Sequence, residues 1–168
     1  TGRPMPKERY VSDFVECDCF QDGEVFLKNG GQKGPQQQII PPGEYRINPL
    51  LFRVRKEHVK EIGADEYGQV EALDGKPITG GRIMANPVEC DGFQDVKAFF
   101  ANGGEKGPQL EILKPGIYRI NPYVFDVKIK DCIHVQNDEV YVVTSIDGKP
   151  LNEGQIVARH VDCNMFAD

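Results

Sequence analysis

A glycine-rich loop is the first segment whose residue types could do chemistry. Residues 102–109 read Asn-Gly-Gly-Glu-Lys-Gly-Pro-Gln, and the backbone N–H groups of such a loop can cradle a phosphate. A P-loop needs Gly-x4-Gly-Lys-[Ser/Thr] between a strand and a helix. Here the loop follows a predicted helix, and Pro108 stands in place of the hydroxyl residue. We therefore predict that the glycines end a helix and reverse the chain, and that the loop binds no nucleotide.

Cysteines could ligate a metal or act as nucleophiles. An odd number argues against a closed set of disulfides, and free thiols fit a reducing compartment. A zinc site usually needs two close pairs of ligands. The chain is internally repeated, but the pair Cys17-x-Cys19 occurs once, because Gly92 takes the place of Cys19 in the next copy. We predict buried, unreactive thiols and no metal. The five cysteines are Cys17, Cys19, Cys90, Cys132 and Cys163.

Histidines could supply a general base. The three in this chain are His58, His134 and His160, and none is paired with a nucleophile in a recognisable motif. We predict surface or edge positions for them. The sequence thus predicts no catalytic residue, no cofactor and no small-molecule substrate, so an enzyme is the least favoured class.

Acidic residues near the loop could hold calcium. Asp91 and Asp95 have counterparts in the preceding copy, Asp18 and Asp22. Their spacing lacks the dense oxygen ligands of a calcium loop. We predict instead that Asp22 and Asp95 cap short helices.

The elements that position these residues repeat along the chain. Between residues 1–73 and 74–146, 31 of the 73 positions are identical with no insertion or deletion, which is far above chance. The match continues into a partial third copy, where Asp74-Gly75-Lys76-Pro77 returns as Asp147-Gly148-Lys149-Pro150. We divide the chain into a first segment (1–65, lacking its first strand), a second, complete segment (66–138) and the start of a third (139–168).

One segment is predicted to be mainly β. In the second segment, alternating apolar residues and turn signals predict strands, and Asp95 followed by apolar residues predicts a helix over Val96–Ala101. A unit this small buries little core alone, so neighbouring units should share strands or pack end to end. The fold class predicted is a tandem array of small β-barrel or β-sandwich units with one short helix each. The predicted strands are 67–73, 82–90, 110–113, 117–120 and 125–129.

Charge and hydropathy exclude some partners. The net charge of −6 and pI of about 5.1 do not fit a phosphate backbone, so nucleic acid is excluded as a partner. The apolar runs are only a few residues long, and neither a membrane span nor a signal peptide is visible.

The run Pro-Gly-x-Tyr-Arg-Ile-Asn-Pro-x-x-Phe-x-Val, found at 42–54 and 115–127, resembles the first β subdomain of the band 7, or SPFH, family. That family includes stomatin, prohibitin and flotillin, and the Phe-Gln-Asp helix start with its Asn-Gly-Gly-x-Lys-Gly loop is similar to the bacterial, flotillin-like branch. A looser likeness links the units to the repeats of vault walls. The chain departs from the family pattern because its unit is repeated and the long helical region expected after an SPFH domain is missing from it.

Two functions follow as expectations. The resemblance implies a bacterial scaffold that self-associates, is cytoplasmic or membrane-associated, and reaches a membrane through regions outside this sequence. The alternative is a module that presents repeated loops to a protein or lipid, with avidity from their constant spacing. The inter-repeat contact is predicted at Tyr45, Arg46, Asn48, Tyr118, Arg119 and Asn121. The partner-binding loops are predicted at Asn29, Lys33, Gln36, Asn102, Lys106 and Gln109.

Overall fold

A computed structural model of the chain describes Pro4 and residues 9–164. The outermost residues of the first and third segments lie outside this range. Two helices and six strands are present in the described residues, in the order α1, β1, β2, β3, α2, β4, β5, β6. Their bounds are α1 Gly23–Lys28, β1 Lys60–Ile62, β2 Glu66–Ala72, β3 Lys76–Pro77, α2 Val96–Ala101, β4 Glu105–Pro108, β5 Gly116–Tyr118 and β6 Phe125–Asp131.

The strands form two sheets. A four-stranded sheet has the order β3-β4-β2-β6, and β1 pairs with β5 in a two-stranded sheet. The longest pairing is antiparallel, between β2 and β6, with Glu66 opposite Asp131 and Ala72 opposite Phe125. The prediction of a mainly β chain with short helices is confirmed.

Some predicted strands are reduced to single bridges. In the stretch 110–113 only Leu113 bridges to Gly68, and in the stretch 82–90 only Ala85 bridges to Gln109. The strand β1 was not predicted, since it is three residues long and shows no alternation. It lies before residue 66 and pairs with β5, so hydrogen bonding joins the end of the first segment to the second.

The buried apolar residues form two clusters at equivalent places. Phe20, Phe26 and Phe52 pack edge to face in the first segment, with the Phe52 centroid 5.3 and 4.9 Å from those of the other two rings. At the matching positions of the next segment, the Phe125 ring lies 5.2 Å from that of Phe93 and 4.9 Å from that of Phe99. The second cluster is larger because β2, β6 and Val11 of the first segment contribute to it. Aromatic pairs in this geometry stabilise a core beyond the area they bury.

Candidate functional site

The acidic residues near the loop act as helix caps. Asp22 Oδ1 accepts a hydrogen bond from Val25 N at 2.9 Å, and Asp95 Oδ1 accepts one from Ala98 N at 2.8 Å. An N-cap carboxylate satisfies one of the free N–H groups at the start of a helix. In both segments this carboxylate is therefore occupied by its own backbone.

The glycines of the predicted loop 102–109 end α2, but the prediction of a loop is wrong for Glu105–Pro108, which form β4. The N–H groups of Gly103 and Gly104 donate to Phe100 O and Phe99 O at 3.2 and 2.8 Å, and Gly103 adopts a φ of 82°. A Cβ on Gly104 would lie 2.4 Å from the Phe99 ring. These N–H groups close the helix and cannot point at a phosphate, and the second glycine is required by the close approach of the aromatic ring.

The predicted loop residues divide into internal and exposed ones. Gln109 Nε2 donates to the carbonyls of Glu105 and Gly107 at 2.9 and 2.8 Å, and Gln36 makes the equivalent bonds in the first segment. Asn102 Nδ2 donates to Glu89 O at 2.7 Å. The two glutamines hold the shape of their loops, whereas Asn102 is exposed and bonds to a residue outside its loop. Asn29, Lys33 and Lys106 are exposed, and the Lys106 ammonium lies 4.6 Å from the centre of the Tyr10 ring.

Among the predicted contact residues, Asn121 reaches the first segment. Its Nδ2 donates to Gln36 O and Gln37 O, each at 2.9 Å, and its side chain is buried. Asn48, the equivalent residue of the first segment, is exposed. Both asparagines also accept a bond from a backbone N–H two residues later, at 2.9 Å for Asn48 and 3.0 Å for Asn121. The two side chains therefore share a local role and differ in the longer-range bonds.

The side-chain hydroxyl of Tyr118 and the backbone N–H groups of both arginines bond within their own segment, although the Tyr118 backbone pairs with Lys60 of the first segment. Tyr118 Oη donates to Lys114 O at 2.9 Å, and its ring packs against the core. Arg119 N donates to Gln94 Oε1 at 2.9 Å, as Arg46 N does to Gln21 at 3.1 Å. Arg46 and Arg119 are exposed, while Tyr45 is half-buried. A bridge from Arg119 to another segment stays a prediction.

Sequence reasoning missed a buried carboxylate that bonds one segment to the other. Asp74 Oδ2 accepts hydrogen bonds from Tyr10 N at 3.0 Å, from Val11 N at 3.1 Å and from Arg9 Nε at 3.1 Å. Its other oxygen accepts from Gly75 N at 2.8 Å. Asp74 is 1% exposed. A buried carboxylate of the second segment therefore fixes the backbone of Tyr10 and Val11 in the first segment.

The same carboxylate contact occurs at the next junction. Asp147 Oδ2 accepts from Ile83 N at 2.9 Å and from Met84 N at 3.0 Å, and Asp147 Oδ1 accepts from Gly148 N at 2.7 Å. The backbone donors Met84 and Ile83 hold the pKa of the Asp147 carboxyl below its ordinary value. Ile83 and Met84 are the repeat counterparts of Tyr10 and Val11. We call this pair of contacts the carboxylate clamp.

Arg82 lies beside the backbone of Ile83 and Met84, which Asp147 holds. Arg82 makes a two-pronged bond to Glu105, at 3.1 and 2.7 Å, and Glu105 also accepts from Asn86 N at 2.8 Å. The Arg82 hydrogen bonds, then the Asn86 N–H, lower the pKa of Glu105. In the first segment Gln32 replaces Glu105, and Arg9 turns to Asp74 instead, with its Nη2 buried and unpaired.

Glu105→Gln is expected to lower the free energy of unfolding at neutral pH. It should also make that free energy fall less steeply as the pH decreases. Because the folded-state pKa of Glu105 lies below the ordinary 4.5, its stabilisation is present above that pH and disappears as the pH falls through the lowered pKa. Urea unfolding at a series of pH values from neutral to acid measures this slope. The reciprocal variant Gln32→Glu offers Arg9 the missing partner and should steepen it. An equal acid slope in wild type and Glu105→Gln would contradict the assignment.

Cation–π contacts also connect the two segments. The Lys97 ammonium lies 4.4 Å from the Phe14 ring centre, and the Arg9 guanidinium lies 4.9 Å from that of Phe100. Such contacts contribute modestly at exposed sites. Beside them, a shallow open groove of about 240 Å³ runs between the segments, lined by residues that include Phe14 and Lys97.

The cysteines and histidines considered as reactive groups are either buried to some degree or exposed at the surface. Burial raises the pKa of the Cys17 and Cys90 thiols, which disfavours the reactive thiolate. All five cysteines are free, but Cys19, Cys132 and Cys163 are only half-buried, so the prediction of buried thiols is confirmed for Cys17 and Cys90 alone. His58, His134 and His160 are exposed. No cluster of three metal-ligating side chains occurs among residues 9–164.

Comparisons with protein-family models, with curated proteins and with solved structures find no match to this chain. Neither helix of the described chain is long or apolar enough to cross a bilayer. The resemblance to the band 7 family therefore stays a prediction carried by its motifs.

Proposed function

We propose that the chain is a non-enzymatic structural segment of a band 7 (SPFH)-like protein. In this proposal, small β-barrel or sandwich-like repeat units stand in a row and contribute to an oligomeric, membrane-associated assembly. The observation that carries the proposal is the carboxylate clamp, which occurs at two successive junctions. Its backbone N–H donors lie 3.0 and 3.1 Å from the carboxylate at the first junction, and 2.9 and 3.0 Å at the second.

A clamp used twice has a geometric consequence. If each unit holds the one before it by the same contact, one rotation and one translation relate every pair of neighbours. Units related in this way stack into rods, arcs or closed rings. Asn121 and the β1–β5 pairing act across the same junction, which supports an interface that includes backbone as well as side chains.

A non-enzymatic role is supported by how the reactive residue types are used. The repeated aspartates cap helices or clamp backbone, the loop glutamines shape their own loop, and the thiols of Cys17 and Cys90 are buried. Each of these uses recurs at the repeat spacing, as a structural demand would. The membrane-associated and bacterial setting rests on the motif resemblance alone.

The alternative function is a module that presents its loops to a protein or lipid. Its support is limited to the exposed loop residues Asn29, Lys33, Asn102 and Lys106. The two functions predict different behaviour, because a scaffold grows with every added unit, whereas a binding module captures a partner and has no need of a fixed row.

Small-angle scattering of tandem arrays tests the proposal. Proteins with two, three and four copies of residues 66–138 should increase their maximum dimension by a constant amount per copy. A compact globule would instead grow its radius of gyration as roughly the 0.38 power of length. Compact growth, or independently tumbling units with no fixed spacing, would overturn the scaffold. Co-flotation of a monomeric chain with anionic vesicles, lost on Lys33→Ala with Lys106→Ala, would favour the alternative.

A further inference from the structure

Two Asn-Gly dipeptides occupy equivalent places in the repeat. Asn29-Gly30 follows α1 and Asn102-Gly103 follows α2, and the sequence contains no other asparagine followed by glycine. The backbone nitrogen of the next residue can attack an asparagine side-chain amide, and glycine hinders this nitrogen least because it has no Cβ. These two dipeptides are therefore the places where the chain is most open to modifying itself.

The reaction at such a dipeptide replaces a side-chain amide by a carboxylate. The glycine nitrogen forms a bond to the asparagine Cγ, and the bond from Cγ to Nδ2 breaks. The side-chain nitrogen leaves as ammonia, with the proton that the glycine N–H gives up. Water then opens the cyclic imide at either carbonyl, which yields aspartate or isoaspartate, the isomer whose chain runs through Cβ. Water is the only co-reactant, and no atom is oxidised or reduced.

The backbone is the same at the two sites. Asn29 and Asn102 both have a φ of −82°, with ψ of 13° and 6°, and the glycines that follow have φ of 81° and 82°. Each glycine N–H donates to the carbonyl three residues earlier, at 3.3 Å for Gly30 and 3.2 Å for Gly103. Both asparagines are exposed, so water reaches both. Backbone geometry and access to water therefore predict equal reactivity.

The side-chain amide is held at one of the two sites. Asn102 Nδ2 donates to Glu89 O at 2.7 Å. Glu16 is the counterpart of Glu89, and Asn29 makes no equivalent bond to it, although both residues belong to the part of the chain that the structure describes. The bond to Glu89 O must break before the Asn102 Cγ can turn towards Gly103 N and before Nδ2 can leave. The Asn29 amide has no such bond to break.

We propose that Asn29-Gly30 is a site of spontaneous deamidation, and that the bond from Asn102 to Glu89 protects Asn102-Gly103 from the same reaction. In the folded chain Asn29 should convert about fivefold faster than Asn102, which is the factor in rate that one hydrogen bond of about 1 kcal/mol gives. This inference goes beyond the proposed function and does not rest on it, because it concerns the chemistry of a single chain.

Conversion at Asn29 affects a closely packed helix end. Gly31 N donates to Phe26 O at 2.8 Å, and a Cβ on Gly31 would lie 2.5 Å from the Phe26 ring. Isoaspartate at position 29 inserts one backbone atom just before this contact, so Gly31 can no longer lie against the ring in the same way. The isoaspartate form, separated from the unconverted chain by its added negative charge, should therefore melt at a lower temperature. An unchanged Tm would overturn this consequence.

Peptide mapping of the whole wild-type chain during incubation in mildly alkaline buffer tests the proposal. Trypsin places the two sites in separate fragments, residues 29–33 and 98–106. Each conversion changes the fragment mass by the exchange of NH2 for OH, and incubation in heavy-oxygen water labels the new carboxyl group. A sample digested at the start corrects for conversion during digestion. We expect early conversion in 29–33, with isoaspartate among the products, and slower conversion in 98–106.

Unfolding the chain in urea supplies the matched control. Both sites read Asn-Gly-Gly, so their rates should become alike once the bond from Asn102 to Glu89 is lost. Equal rates in the folded chain, or faster conversion of Asn102, would overturn the proposal. A difference that persists in urea would also overturn it, because that difference would come from neighbouring residues. So would an Asn29 that stays unconverted in the folded chain while both sites convert in urea.

Discussion

Replacing Asp74 by alanine is expected to destabilise the chain by about 2–4 kcal/mol, because several hydrogen-bond donors at the junction lose their acceptor together. The carboxylate is 1% exposed and accepts four hydrogen bonds, from three backbone N–H groups and from Arg9. Without it, Arg9 loses its buried partner, and the N–H groups of Tyr10 and Val11 lose their acceptor. Urea unfolding at neutral pH measures the loss.

Asp147→Ala is the matched control for this prediction. Asp147 accepts the equivalent backbone bonds, but it is only half-buried, and Arg82 pairs with Glu105 instead. Its loss should cost roughly 1 kcal/mol, the usual net value of hydrogen bonds that water can replace. If Asp74→Ala cost no more than Asp147→Ala, the clamp would not be a buried anchor of the junction.

Asn121→Ala is expected to destabilise the chain by about 2–3 kcal/mol, because two carbonyls, one buried and one partly buried, lose their donor. Those carbonyls belong to Gln36 and Gln37 of the first segment, each 2.9 Å from Asn121 Nδ2. The loss should appear in thermal or urea unfolding as a single cooperative change, since the bonds join the two segments.

Asn48→Ala separates this contact from the local role of the side chain. Asn48 keeps the bond to a backbone N–H two residues later, at 2.9 Å, but its side chain is exposed. Its replacement should cost below about 1 kcal/mol, as surface changes usually do. Equal losses for Asn48→Ala and Asn121→Ala would show that only the local turn matters.

Local features were predictable from the sequence because they depend on neighbouring residues. The helix Val96–Ala101 has the bounds predicted from Asp95 and the glycines that follow it, and Gly23–Lys28 is its counterpart in the first segment. A cap and a stop lie within one or two turns of the helix they limit. The mainly β character follows in the same way from short alternating runs and turn residues.

Apart from Asn121, the long-range contacts were not predictable. Asp74 begins an Asp-Gly turn, and the sequence alone predicts only that local role. In the structure its carboxylate also accepts hydrogen bonds from residues 63 to 65 positions earlier. Asn121 and Arg119 are both identical in the two segments, so identity could not separate the side chain that crosses the junction from the one that stays exposed. The stretch 110–113 has strand-like residues, but only Leu113 finds a bridge partner.

In the proposed row, one contact geometry relates every pair of neighbouring units. Pulsed electron–electron resonance on an array of three units tests it directly, with spin labels at the exposed position of Glu89 in two units at a time. A shared clamp predicts the same distance between the first and second units as between the second and third. Different distances for the two neighbouring pairs, or a distribution too broad to define either, would contradict it.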